Sequence, residues 1–140
     1  MIETYRGVVY PIHMDHMGHM NVQHYVARFD EATWHLCSRL GLTSDYFRDS
    51  GNGMAAVRQT IEYVREAHAG NLLVIQSSVE KVDQKALHLH HEMNNAETGE
   101  VLANASMIGV HFNRESRRAC ALPNSVGELG KELFDASGIE

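Results

Sequence analysis

Only two cysteines, two prolines and 12 Lys and Arg residues against 18 Asp and Glu occur in these 140 residues. Cys37 and Cys120 fit no zinc or redox spacing, so buried free thiols in a reducing compartment are expected, with a single bridge as the alternative. A formal net charge of −6, with histidine neutral, argues against a nucleic-acid partner recognised by broad phosphate neutralisation. No apolar run is long enough to span a bilayer, and Met1–Arg6 lacks the basic-then-apolar order of a signal segment. The expectation is therefore a cytoplasmic chain with no membrane partner. Its length suits one domain over residues 1–140, small enough for a subunit interface to matter to stability.

The hydrophobic pattern changes period along the chain. Val8, Tyr10 and Ile12 suit a first strand within Thr4–Ile12, ending near Pro11. Val22, Tyr25, Val26, Phe29, Ala32, Leu36, Cys37 and Leu40 then recur at helical spacing, with Arg28, Asp30, Glu31, His35 and Arg39 assigned to the polar side. A helix over Val22–Leu40 would be about 28 Å long. Asn21 is its natural N-cap, Gly41 its C-terminal stop, and Leu42 the closing hydrophobic contact. Thr43–Gly53 reads as a loop with one short helical turn.

From Met54 onward the period is two. Strands are expected over Met54–Glu66, with Val57, Ile61 and Tyr63 on one side, and over Asn71–Val82, Ala86–Met93 and Val101–Phe112. Turns at Ala69-Gly70-Asn71 and Thr98-Gly99 suggest a four-strand meander. The class is α+β, an antiparallel sheet wrapped around one long central helix. Its open edges favour a homodimer with a continuous sheet, or a dimer of dimers. The segment after Pro123 carries Val126, Leu129, Leu133 and Phe134 in a weakly helical pattern.

The chemistry gathers in Asp15-His16-Met17-Gly18-His19-Met20-Asn21, just ahead of the helix. A helix N-terminus carries unpaired N–H groups and favours developing negative charge. A carboxylate beside it could attack a carbonyl or activate water while those amides hold the oxyanion. An aspartate in such a turn also accepts local backbone hydrogen bonds, which is the plainer role.

The order of strand, Asp-bearing loop, long helix and antiparallel strands resembles the hotdog fold. Asp15-x-x-Gly18-His19-x-Asn21-x-x-x-Tyr25 is similar to the signature of the thioesterases grouped with 4-hydroxybenzoyl-CoA thioesterase, and Tyr63-Val64-Arg65-Glu66-Ala67 and Thr98-Gly99-Glu100-Val101 agree with it. The resemblance extends from Tyr5 to about Pro123 and implies an acyl-CoA thioesterase for small or medium acyl groups. It implies Asp15 as nucleophile or general base, His19 as a second acid-base group, Asn21 beside them and the Val22 N–H as oxyanion donor. Met17 stands where plant-type acyl-carrier-protein thioesterases carry an Asn. No separate cofactor is implied, because CoA is part of the substrate. The other readings are a hotdog hydratase or dehydratase using His19 with Asp15, and a noncatalytic acyl-thioester-binding dimer.

Other residues carry secondary expectations. Arg114, Arg117 and Arg118 could meet the CoA phosphates, or simply solvate a strand end. Ten histidines invite a metal reading, but His13, His16, His19 and His24 match no familiar ligand spacing, and no metal is expected. His88 and His90 fall on one strand face and His91 on the other, as solvent-facing or interface residues. Tyr25 and Trp34 suit core or interface positions, Glu31 is a reserve carboxylate, and Met14, Met17, Met20 and Met54 could line an acyl pocket.

Overall fold

The computed structural model describes residues 1–136; the last four residues of the expected 1–140 unit lie outside the described residues. Strand β1 spans Ile2–Val8, and a 3-10 turn follows at Pro11–His13. Helix α1 runs Val22–Arg39, α2 Ser44–Ser50 and α3 Asn124–Ala136; strands β2 to β5 are Asn52–Tyr63, Leu72–Val82, Ala86–Asn95 and Val101–Asn113. The sheet is antiparallel in the order β1-β3-β4-β5-β2, and α1 lies on its inner face in the hotdog arrangement. Among the described residues, no helix is long and apolar enough to cross a membrane.

Two adjoining clusters make the core. Tyr25, Phe29 and Ala32 of α1 meet Ile75, Met93, Leu102 and Ala105, while Leu36 and Leu40 meet Leu87, Leu89, Leu122 and Val126. Helix α3 thus packs its apolar stripe beside the C-terminal half of α1. Asn21 caps α1 by accepting the Gln23 N–H at 3.1 Å. At the other end Gly41 takes φ +87°, and the Leu42 N–H closes on the Cys37 carbonyl at 2.9 Å.

Several expectations need correction. The four later strands are not a meander: β3, β4 and β5 pair in sequence, but β2 lies beyond β5 and β1 pairs with β3. The Ala69-Gly70-Asn71 reversal is real, yet Gly70 N–H donates to the Val9 carbonyl, so it joins the chain to the end of β1 rather than folding β3 onto β2. Thr43–Gly53 holds a seven-residue helix capped by Thr43. On α1, Val22 and Val26 are exposed, whereas Arg28 is only 6% exposed. Val57 is exposed too, as the unpaired residue of a bulge between Ala56 and Arg58. His91 is buried rather than solvent-facing, because Thr33 and Ser77 hydrogen-bond both ring nitrogens; burial lowers its pKa to about 4. Both cysteines are free thiols; Cys37 is buried and its pKa is pushed up to about 12, while Cys120 is half-buried.

Candidate active site

The loop before α1 is built from the backbone outward. Asp15 N–H donates to the His19 carbonyl at 3.0 Å and the Asp15 carbonyl accepts the Gly18 N–H at 3.1 Å, a turn in which Gly18 takes φ +84°. Met20 anchors its end: the side chain is fully buried and its N–H donates to the Ala67 carbonyl at 2.7 Å. His68 Nδ1 lies 3.1 Å from the Gly18 carbonyl and braces the turn from outside. The loop is therefore held on both sides although its tip faces solvent.

The Asp15 carboxylate uses both oxygens. Oδ1 accepts the Met17 N–H at 2.9 Å and Oδ2 accepts Asn21 Nδ2 at 3.0 Å. These two bonds, Asn21 first, keep its pKa below the ordinary carboxylate range, and the nearby His19 and His16 act in the same direction. Asn21 works twice, since its Oδ1 is the cap that receives Gln23 N–H. The His24 N–H goes to the Asn21 carbonyl, leaving the Val22 N–H without an acceptor among the described residues. Asp15, Asn21 and the Val22 amide thus stand together at one end of α1. His19 Nδ1 lies 3.2 Å from the Met20 carbonyl, which leaves Nε2 as the basic nitrogen of its neutral ring.

The other expected residues are dispersed. Arg114 N–H donates to the Gly51 carbonyl at 3.0 Å and its guanidinium to the Phe47 carbonyl at 2.8 Å. Arg117, at φ +60°, and Arg118 complete the turn after β5. Tyr63, at the opposite end of β2, packs its ring on Tyr25 near the start of α1. Since β2 has 12 residues, its ends are roughly 35–40 Å apart, and within one chain the arginines are remote from Asp15. Tyr25 is a core residue whose hydroxyl accepts the Ala67 N–H, whereas Trp34 is 58% exposed. Glu31 is exposed on α1. The methionines do not form one pocket: Met20 is core, Met17 is exposed, and Met54 lines a cavity far along α1.

That cavity, of about 560 Å³, lies between α1, α2, β2 and β5, with Trp34, Phe47 and Met54 in its wall. A second of about 550 Å³ begins at Gln23 in the first turn of α1 and shares Asp30, Ala56 and Met107 with the first. The start of α1 thus opens onto a largely apolar groove that sequence periodicity gave no means to foresee. Also unforeseen were His68 and Ala67, which brace the loop, and the burial of Arg28. For Arg28 a signal existed, because it stands three residues after Tyr25 and four before Ala32, on the buried stripe. Among the described residues no group of three or more His, Cys, Asp or Glu is arranged to hold a metal ion.

The sequence pattern of the thioesterase-like superfamily matches residues 9–129. The chain belongs to that superfamily. An L-carnitine dehydrogenase/betainyl-CoA thioesterase of Agrobacterium fabrum is 32% identical over 110 residues, covering 79% of this chain but 22% of its own length. The chain thus spans about a fifth of that relative. A betainyl-CoA thioesterase of Pseudomonas aeruginosa is 25% identical over 136 residues, covering 97% of this chain and 86% of the relative. A Staphylococcus aureus protein solved in complex with CoA superposes with a TM-score of 0.87 at 19% identity, over 96% of this chain and 87% of that one, a likeness of fold.

Proposed function

We propose that this superfamily member hydrolyses an acyl-CoA thioester, with Asp15 as the acting carboxylate and the Val22 N–H as oxyanion donor. The observation that carries the reading is the Asn21 side chain, which bonds Asp15 Oδ2 and caps Gln23 at once, beside the free Val22 amide. In one route an Asp15 oxygen attacks the carbonyl carbon, CoA leaves as thiolate, and water then cleaves the acyl–aspartyl anhydride. In the other a water attacks while Asp15 takes its proton, and the same thiolate leaves. Either route needs an ionised carboxylate, which the depressed Asp15 pKa supplies at neutral pH. Thiolate departs without a strong acid, so neither route depends on His19 giving a proton to sulfur. Label from heavy-oxygen water retained in Asp15 after a single turnover identifies the anhydride route.

For substrate, we place a small acyl group first, with betainyl-CoA heading the panel because it is named in both sequence relatives. Purified protein is expected to release CoA thiol from at least one acyl-CoA, unchanged by a chelator. Loss of enoyl absorbance without free thiol would instead select a hydratase, and saturable binding without turnover a noncatalytic dimer.

The reading includes a homodimer. Strand β2 is a long open edge, exposed through Ala55–Thr60, with Val22 and Val26 exposed on the neighbouring helix. Antiparallel pairing of two β2 edges about a twofold axis sets the Tyr63 end of one subunit beside the Asn52 end of the other. This carries the turn with Arg114, Arg117 and Arg118 to the other subunit's Asp15, where CoA phosphates need cations. Mixed dimers test it: one chain carries Asp15→Asn, the other Arg114→Ala with Arg117→Ala and Arg118→Ala. Shared sites leave the mixed dimer one intact site and restored turnover; sites confined to one chain leave it none.

A further inference from the structure

We infer that Arg28 and His13 act as a positioning pair for Asp15, holding the loop so that Asn21 stays on the carboxylate. The inference rests on the reading of Asp15 as the acting group. Arg28 is 6% exposed, and its hydrogen bonds go to two carbonyls and one imidazole rather than to a carboxylate. Its Nε is buried with no acceptor among the described residues. A guanidinium buried on such terms is costly where methionine or leucine would fill the space, so its contacts need a reason.

Those contacts join the three segments from which the loop hangs. Nη2 donates to the Val8 carbonyl at the end of β1 and reaches His13 Nδ1 in the 3-10 turn, each at 3.2 Å; Nη1 donates to the His24 carbonyl in the first turn of α1, also at 3.2 Å. His13 Nδ1 also receives the Tyr10 N–H at 2.9 Å, so this nitrogen must be the unprotonated one. Burial, the Arg28 charge and His24, whose ring lies 4.7 Å away, all hold the His13 pKa below the ordinary imidazole value. The His13 carbonyl then accepts the Asn21 N–H at 2.9 Å, and Asn21 Nδ2 bonds Asp15 Oδ2 at 3.0 Å. An unbroken chain of polar contacts therefore runs from the buried cation to the carboxylate.

The test is kinetic and uses the whole chain. Arg28→Met is expected to lower kcat roughly tenfold or more while KM changes less than about twofold, the pattern of a misplaced catalytic group. The acid limb of the kcat/KM profile should also rise by about half a pH unit, because a loosened Asn21 no longer stabilises the Asp15 anion. A residue that serves stability alone would not move that limb. The His13 variants give a second reading if Arg28→Met does not fold: His13→Asn keeps an acceptor and should stay near the parent, whereas His13→Leu should reproduce the kcat loss and the limb shift. A folded Arg28→Met, or His13→Leu, with parental kcat and parental acid limb overturns the pair. Asp15→Asn, run alongside, separates the two ideas. If Asp15→Asn is inactive while Arg28→Met and His13→Leu are parental, only the positioning pair fails; if Asp15→Asn is active, the catalytic assignment fails.

Discussion

The two ends of α1 are finished in opposite ways. At the C-terminal end Leu36, Leu40 and Leu42 are at most 1% exposed, Gly41 turns the chain, and Leu42 returns its N–H to the Cys37 carbonyl. At the N-terminal end Val22 is 54% exposed with a free amide, and the cap Asn21 is shared with a carboxylate. One end is closed by burial, and the other stays polar and open to solvent. The contrast teaches that apolar packing at one end and mid-helix holds α1 in place, while the other end keeps its first amide open to solvent, as helix N-termini do.

The contrast breaks most strongly in the core. Leu36→Ala should cost about 2–5 kcal/mol in denaturant unfolding, since it empties a fully packed site. His91, midway along and bonded to Thr33 of α1, links the fold to acid. Its folded pKa of about 4 lies below the ordinary imidazole value of 6.5, so its contribution is complete above the unfolded value and is lost as pH falls through the folded one. Roughly 3 kcal/mol should disappear between those values, and His91→Asn should flatten that part of a stability-versus-pH curve. Asn21→Ala should cost about 1 kcal/mol for the cap and raise the acid limb of kcat/KM, because the Asp15 carboxyl loses its main donor. His16→Ala, on the exposed tip of the loop before α1, should change unfolding by less than about 0.5 kcal/mol.

The caps of α1, its length and the Asp-bearing loop were legible because each depends on neighbours in sequence: Asn21 before Gln23, Gly41 after the last turn, Gly18 in a tight reversal. Strand order was not. A turn such as Ala69-Gly70-Asn71 announces that the chain reverses, but not which edge it returns to, and here Val9 and the Met20–Ala67 bond decide. Arg28 departs from the expected polar side because its place on the stripe buries it and its acceptors Val8 and His13 are supplied by another segment. The candidate site divides the same way. Asp15, Asn21 and Val22 were readable as a local motif, whereas the groove along α1 and the separation of the arginines arise from where β2 lies.

The most direct measurement is release of CoA thiol by Asp15→Asn beside the parent, on the best substrate of the panel, with thermal unfolding of both. The account predicts that the variant keeps its fold and loses at least about a hundredfold in kcat. A folded Asp15→Asn turning over at the parental rate would contradict it.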